Sequence, residues 1–252
     1  MSYTMYKRLS DVWFGMLREL SVYRIRNAVA CRHSRSICVI WAVATVIVLA
    51  GACFAEDVQS ASPLGAKDIG KAEAAVGDLV ADAMRAALKT DVAFAAASEI
   101  KSKNDPFPPG KVSSADIAKL VSYPDDPLAV LEITGKAIRA ALEKAVAIYP
   151  QPSLGFLQVS GLKFEFDPAK PVGERVHSVS IGGKPMDATA RYTVAVTNSI
   201  ANGALGYWKI WASQDVKSRQ PDLTIVKALE AYFKSRAKID YGTLGRIATA
   251  SR

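Results

Sequence analysis

The 252-residue chain is half hydrophobic and carries 32 Lys/Arg against 24 Asp/Glu, a formal charge of +8, and it is long enough for one or two domains with a sizeable core. The charge suggests nucleic acid until it is divided: residues 1–55 hold seven Lys/Arg and two Asp/Glu, leaving 25 basic against 22 acidic residues downstream, with no basic cluster interleaved with aromatics, so nucleic acid is excluded as the expected partner. Cys31, Cys38 and Cys53 all precede residue 56, which excludes a disulfide framework or cysteine metal site in the remainder.

In chain order, Ile37 to Ala55 carries no charge, follows the basic stretch Arg24 to Arg35 and ends in small residues. That is the pattern of an export signal cut after Ala52 or Ala55, giving a periplasmic protein, or of an uncleaved membrane anchor. Met5 and Met16 are alternative starts, and Cys53 is a candidate for lipidation. The expected organisation is a targeting segment over 1–55, a polar linker broken by Pro63 and Gly65 over 56–67, one domain over 68–247 and a tail over 248–252.

Val76, Leu79, Val80, Ala83, Ala87 and Leu88 make one apolar helical face, with Asp78, Asp82, Arg85 and Lys89 elsewhere on the helix. Val92 to Ala97 is apolar throughout, as a strand covered on both faces is. A proline-rich loop follows, then Ser113 and Asp116 open a helix that ends before Pro124. Leu128 to Ile133 reads as a strand and Thr134 caps the next helix. That helix turns Ala137, Ile138, Ala141, Leu142, Ala145, Val146 and Tyr149 inward, with Lys136, Arg139, Glu143 and Lys144 facing water. The pair Gly135-Lys136 is no P-loop, because Val130 and Ala137 stand where that motif needs Gly and a hydroxyl.

"LQVSGLKFEFD" and "RVHSVSI" alternate, Gly182-Gly183 supplies a turn and "RYTVAVTN" returns, which predicts a meander or a pair of hairpins. After the loop "SIANGALGYW", Asp222 to Arg236 has the pattern of a last amphipathic helix with acid in its first turn and Lys234 and Arg236 in its last. The expected fold class is α+β, a mixed β-sheet packed with amphipathic helices.

The pieces "GDLVADAMRAALKTDVAF", "PPGKVSSADIAKL", "LEITGKAIRAALE", "LQVSGLKFEFD", "RYTVAVTN", "NGALGYW" and "GRI" occur in an order that resembles the C-terminal, substrate-recognising domain of bacterial 5′-nucleotidases. The family's complete enzymes carry catalysis in a separate metallophosphatase domain whose two metal ions need several histidines. This chain has His33 and His177 alone, and His177, alternating with Val176 and Val179, reads as an ordinary strand residue. The resemblance therefore implies no catalytic residue, no metal site and no cofactor here.

The resemblance also locates three recognition loops. "SEIK" stands for a Gly-Gly-Ile-Arg segment, so Lys101 keeps the charge without the planar fork, and Glu99 replaces a glycine. "YPDDPLAV" stands for Pro-Phe-Gly-Asn, placing Asp125 and Asp126 where a ring and a glycine belong; flanked by prolines, they read as a turn. "NSIANGALGYW" has Ser199 at an aromatic position and Leu205 at an aspartate, while Tyr207, Trp208 and Trp211 read as core or as a rebuilt aromatic wall.

The candidate binding residues are Lys101, Asp126, Asn198 and Asn202, with Lys101 expected to face the Asn198 to Asn202 turn across a polar cleft and Asp126 at its rim. The expected role is an exported domain that binds a small ligand or partner and is non-catalytic alone. Two alternatives stay open. One is the substrate-binding half of a split nucleotidase with a separate metallophosphatase chain, the other an envelope protein retaining only the fold; membrane contact is expected only through an uncleaved N-terminal segment.

Overall fold

The computed structural model describes residues 57–250; the expected targeting segment, Cys53 and the last two residues of the tail lie outside the described residues. The elements in chain order are β1 (Asp57–Ser60), α1 (Ala75–Leu88), β2 (Val92–Ala96), β3 (Gly110–Ser113), α2 (Ser114–Ala118), β4 (Pro127–Thr134) and α3 (Gly135–Ala145). They continue with β5 (Leu157–Ser160), β6 (Leu162–Phe166), β7 (Val176–Ile181), β8 (Lys184–Pro185), β9 (Arg191–Thr197) and α4 (Asn198–Ala201). The last are β10 (Val216–Thr224), α5 (Ile225–Lys234), β11 (Lys238–Ile239) and β12 (Ile247–Thr249).

A five-stranded sheet, ordered β10-β4-β9-β2-β5, forms the centre. β9 and β2 are its parallel pair, and its other neighbours run antiparallel. All five residues of β2 are buried, as the unbroken apolar run from Val92 requires. The fold is thus the expected mixed sheet with helices, though two smaller sheets flank the centre: β11-β1-β3 and β12-β6-β7-β8.

The first helix explains why it runs almost directly into β2. Lys89, left-handed at φ 52°, ends α1, and with only Thr90 and Asp91 between, the chain enters the sheet on which the helix packs. Its other side meets α5. Nearly every residue from Ala75 to Met84 is buried, so the helix is enclosed rather than half solvated. Gly77 permits this: a Cβ there would lie 2.4 Å from the Gln158 side chain. Gln158, fully buried, accepts from the Ala74 N–H at 2.9 Å and donates to the Ile69 and Ala72 carbonyls. It satisfies the backbone that leads into the helix.

Several expected boundaries are corrected. The stretch read as a 56–67 linker contains β1, which pairs with β3 and β11, and buries Ser62, Leu64 and Ala66; it is polar in composition because only alternate residues turn inward. At the other end, Ala248 and Thr249 are not tail but pair in β12 with β6. The last helix starts at Ile225 with Thr224 as its cap, while Asp222 belongs to β10; Pro221 sits on an edge strand, where no neighbour needs its missing N–H.

The Gly182-Gly183 turn, with φ of 58° and 79°, closes the β7–β8 hairpin. β9 then leaves that meander for the central sheet. Glu143, expected in water, is buried and accepts the N–H groups of Arg175 and Val176 at 3.1 and 2.7 Å, which anchors the β7 end to α3. The caps at Ser113 and Thr134 form as their sequences require, accepting from the Asp116 and Ala137 N–H groups.

Around α1's supposedly polar face the chain closes a charge cluster. Arg246 donates to both Asp82 carboxylate oxygens at 2.8 and 2.9 Å and to the Val159 carbonyl, and its Nε lies 3.3 Å from Asp78. Tyr241 and Ser160 also donate to Asp82. Glu73 accepts the N–H groups of Gly245, Arg246 and Ile247. Burial pushes the Asp78 carboxyl up to about 9, with Glu73 and Asp82 adding to the rise and Arg246 opposing it. Asp78 Oδ1 is buried and faces no donor, so the acid form, which brings its own proton, fits the site. Burial also works to raise Asp82, but the Arg246, Ser160 and Tyr241 bonds outweigh it and hold Asp82 below the usual carboxylate range.

Stability should follow these two signs. The contribution of the Asp78 proton is full below the ordinary carboxylate range and is lost as pH rises through about 9, so Asp78→Asn should flatten the fall in stability between pH 6 and 9 by up to about 1.4 kcal/mol per pH unit. Asp82, with its depressed value, contributes above the ordinary range and loses that contribution as pH falls. Asp82→Asn should therefore destabilise at neutral pH, by about 3 kcal/mol because Arg246 is left without its charged partner. Urea melts across pH measure both; a steeper alkaline loss in Asp78→Asn would contradict the assignment.

Candidate functional site

Three loops meet near the C-terminal ends of β2 and β9. The first leaves β2 through a 3₁₀ turn, Ala97–Glu99, and reaches Lys101, whose N–H donates to the Leu120 carbonyl at 2.7 Å and whose Nζ donates to the Lys119 carbonyl at 3.2 Å. The second precedes β4. Its Asp126 N–H donates to the Tyr123 carbonyl at 3.2 Å, so the paired aspartates form the turn that their flanking prolines imply. The third follows β9: Thr197 caps α4 by accepting the Ile200 N–H, and Gly203, Leu205 and Gly206 then take left-handed φ of 86°, 56° and 81°.

The structure brings the last two loops together. The Ser199 N–H donates to Asp126 at 3.2 Å. Arg219, on β10, donates one guanidinium nitrogen to Asn198 Oδ1 and another to Asn202 Oδ1, the latter at 2.8 Å. The two asparagines are thus turned by a residue absent from the sequence-based site. The alternation of "VKSRQ" puts Lys217 and Arg219 on one exposed face of β10, a signal that assigning Asp222 onward to a helix did not use.

Lys101 does not join that group. It lines a separate cavity of about 530 Å³ with Lys67, Ser98, Asn104, Ser122 and Ser153, and the lining includes neither Asp126, Asn198 nor Asn202. The expected Lys101-to-Asn198 cleft is therefore corrected to two neighbouring features: the Lys101 cavity, and the Asp126, Asn198, Asn202 and Arg219 cluster. Glu99, read from the sequence as a charge in place of a glycine, is 2% accessible; it accepts the Ala96 N–H at 2.7 Å and the Thr197 hydroxyl. Burial, more than the nearby Asp126 charge, pushes its carboxyl up to about 7.

The aromatics divide as well. Tyr207 and Trp211 are buried and stacked, with centroids 4.8 Å apart and planes 6° from parallel. Tyr207 donates to the Gly155 carbonyl and Trp211 to the Ile200 carbonyl. They support the third loop from beneath. Trp208 is 65% exposed, with Lys209 Nζ 5.4 Å from its ring centroid. His177 is exposed on β7 and pairs at 3.2 Å with Glu165, away from these loops in the separate β6-β7 sheet. Among the described residues no three His, Cys, Asp or Glu side chains group as metal ligands.

Residues 55–212 match the model of the 5′-nucleotidase C-terminal domain. The chain belongs to that family. A 5′-nucleotidase precursor from Thermus thermophilus superposes with a TM-score of 0.68 at 25% identity, over 85% of this chain and 42% of that one. The NAD nucleotidase of Haemophilus influenzae shares the fold at 15% identity and a TM-score of 0.64, over 77% and 38%. An apyrase from Aedes albopictus is 26% identical over 186 residues, 69% of this chain and 32% of the relative. The chain spans a third or less of the curated relatives it matches.

The strained Leu205 gives a direct check on the third loop. A leucine at φ 56° that is 37% accessible forgoes about 1 kcal/mol relative to glycine in the same conformation. Leu205→Gly should hold or raise the melting temperature, and Gly203→Ala should lower it, since a Cβ there would meet Trp208 at 2.4 Å. Scanning calorimetry on both variants would expose an incorrect loop path if the order came out reversed.

Proposed function

We propose that the chain is an exported 5′-nucleotidase C-terminal-type domain that binds a small anionic ligand in the Lys101 cavity and hydrolyses nothing by itself. The observation that carries this reading is the cavity, whose lining brings together Lys67, Lys101, Ser98, Ser122 and Ser153 with one carboxylate, Asp68. Ammonium groups and hydroxyl donors suit a phosphate or carboxylate, bound as a point charge rather than through a bidentate fork. Its volume suits a small molecule. The exposed Asp125 and Ser199 stand where the family resemblance expects aromatic rings, which weighs against a stacked base as the main contact.

The donor set supports the non-catalytic part. Two histidines in 252 residues do not supply a two-metal phosphatase centre. Export is inferred from the uncharged run Ile37 to Ala55 behind its basic flank. A second reading, the recognition half of a nucleotidase whose metal-bearing half is another chain, draws support from the nucleotidase and apyrase relatives, which are two to four times longer than the matched part. Co-purification of such a chain would favour it.

The deciding experiment is a thermal-shift titration with inorganic phosphate, AMP, adenosine and small dicarboxylates, because ligand at about 100 Kd adds about 2.7 kcal/mol of stability. Anions should raise the melting temperature of the wild type and adenosine should not; Lys101→Ala together with Lys67→Ala should abolish the rise. AMP with divalent manganese should release no phosphate above buffer. A flat titration overturns the binding reading, and sustained phosphate release overturns the non-catalytic one.

A further inference from the structure

Glu99 is fastened to all three loops, to the first and third by its side chain and to the second by its backbone carbonyl. Its Oε2 accepts the Ala96 N–H at the end of β2, and its Oε1 accepts the Thr197 hydroxyl. The Thr197 oxygen in turn accepts the Ile200 N–H that starts α4, and the Ile200 carbonyl accepts the Trp211 indole N–H at 3.0 Å. The Glu99 carbonyl accepts the Ser122 N–H at 2.8 Å, holding the second loop, whose Asp126 accepts from Ser199 on α4. On either side of Glu99 in the chain, Ser98 and Lys101 line the cavity.

The surroundings of this carboxyl are one-sided. Asp126 faces it from the second loop and Tyr207 from the third, the phenol being held neutral by burial first and by Glu99 second. Among the described residues no Lys, Arg or His pairs with it; Lys101, two residues along, turns to the Lys119 carbonyl. A buried carboxylate with two donors and no cation is poised between its two forms, as its position near neutrality agrees.

The two forms ask for different geometry. As the anion, Glu99 accepts from both Ala96 and Thr197, leaving the Thr197 oxygen free to accept the Ile200 N–H. As the acid, it carries a proton that must be donated; given to Thr197, that proton competes with the cap and leaves the threonine's own hydroxyl hydrogen without its acceptor. We propose that Glu99 is a proton-operated positioning residue, which on gaining a proton loosens the Thr197 cap and shifts α4 against the end of β2. Asn198 and Asn202 move with α4 against Arg219, which β10 holds in place, and the spacing between the asparagines and the Lys101 cavity changes with them. The inference concerns the loops themselves and stands whether or not the cavity takes an anion.

NMR of the full chain without ligand tests it, following the Trp211 indole and the Ile200 backbone amide from pH 5.5 to 8.5. Both signals should titrate together with one midpoint near neutrality. Glu99→Gln, which like the acid form can donate toward Thr197 and accept from Ala96, should give pH-independent signals that coincide with the wild type at low pH. Asp126→Asn should move the midpoint down by removing the facing negative charge, and His177→Gln, in the separate sheet, should leave it unchanged. Flat wild-type signals, a titration that survives Glu99→Gln, an unmoved midpoint in Asp126→Asn, or a titration lost in His177→Gln would each overturn the proposal. If Glu99→Gln does not fold, the Asp126→Asn and His177→Gln midpoints decide it.

Discussion

The half-buried contact between Arg246 and Asp82 is the constraint that the architecture turns on. A guanidinium that leaves water must recover its hydration from fixed partners, and Arg246 does so with two carboxylate bonds and a backbone carbonyl. Because Asp82 belongs to the first helix and Arg246 to the last strand region, the bond joins the start and end of the described chain. Glu73 extends the clasp by accepting three successive N–H groups beside Arg246. The first helix is thereby enclosed on the side its charged residues occupy, between the central sheet, α5 and the closing strand. Enclosure then dictates the smaller details: glycine at 77, a buried glutamine at 158, and a proton on Asp78.

The same principle operates on a smaller scale at the other end of the central sheet. There Glu99 has no cation, so its partners are neutral donors alone. A carboxyl held in this way binds the loops together less firmly than the Arg246 clasp binds the termini. One of these carboxylates is depressed by an arginine and the other is raised by burial. The first fastens α1 to the closing strand, and the second lies among the three loops at the end of β2.

The site itself was only partly legible. Lys101, Asp126, Asn198 and Asn202 are all in the loops to which the resemblance assigned them, yet they form two groups instead of one. Asp126 is spent on the Ser199 N–H and the asparagines on Arg219. Nothing in the spacing of Asn198 and Asn202 reveals that partner, because Arg219 arrives from β10 through pairing with β4, a contact distant in sequence. Glu99 was legible as a charge in place of glycine but not as a buried one. An isolated glutamate in a loop reads as solvated, and only the packing of Thr197 and Tyr207 around it decides otherwise.

Local chemistry by itself determined the elements whose evidence is local. The 3.6-residue periodicity of Val76 to Leu88, the unbroken apolar run at Val92 to Ala96 and the threonine and serine caps at 134 and 113 each act within a few residues, so each was readable in place. The order of family pieces likewise carried the fold class. Tertiary structure alone decided what depends on residues meeting from afar: that Asp57 to Ser60 is a strand, since its partners are β3 and β11; that Asp222 extends a strand instead of starting a helix; that Asp78, Glu99 and Glu143 are buried. A charged residue's place is set by whether donors elsewhere in the chain can replace its water, and those donors are found only when the chain has folded.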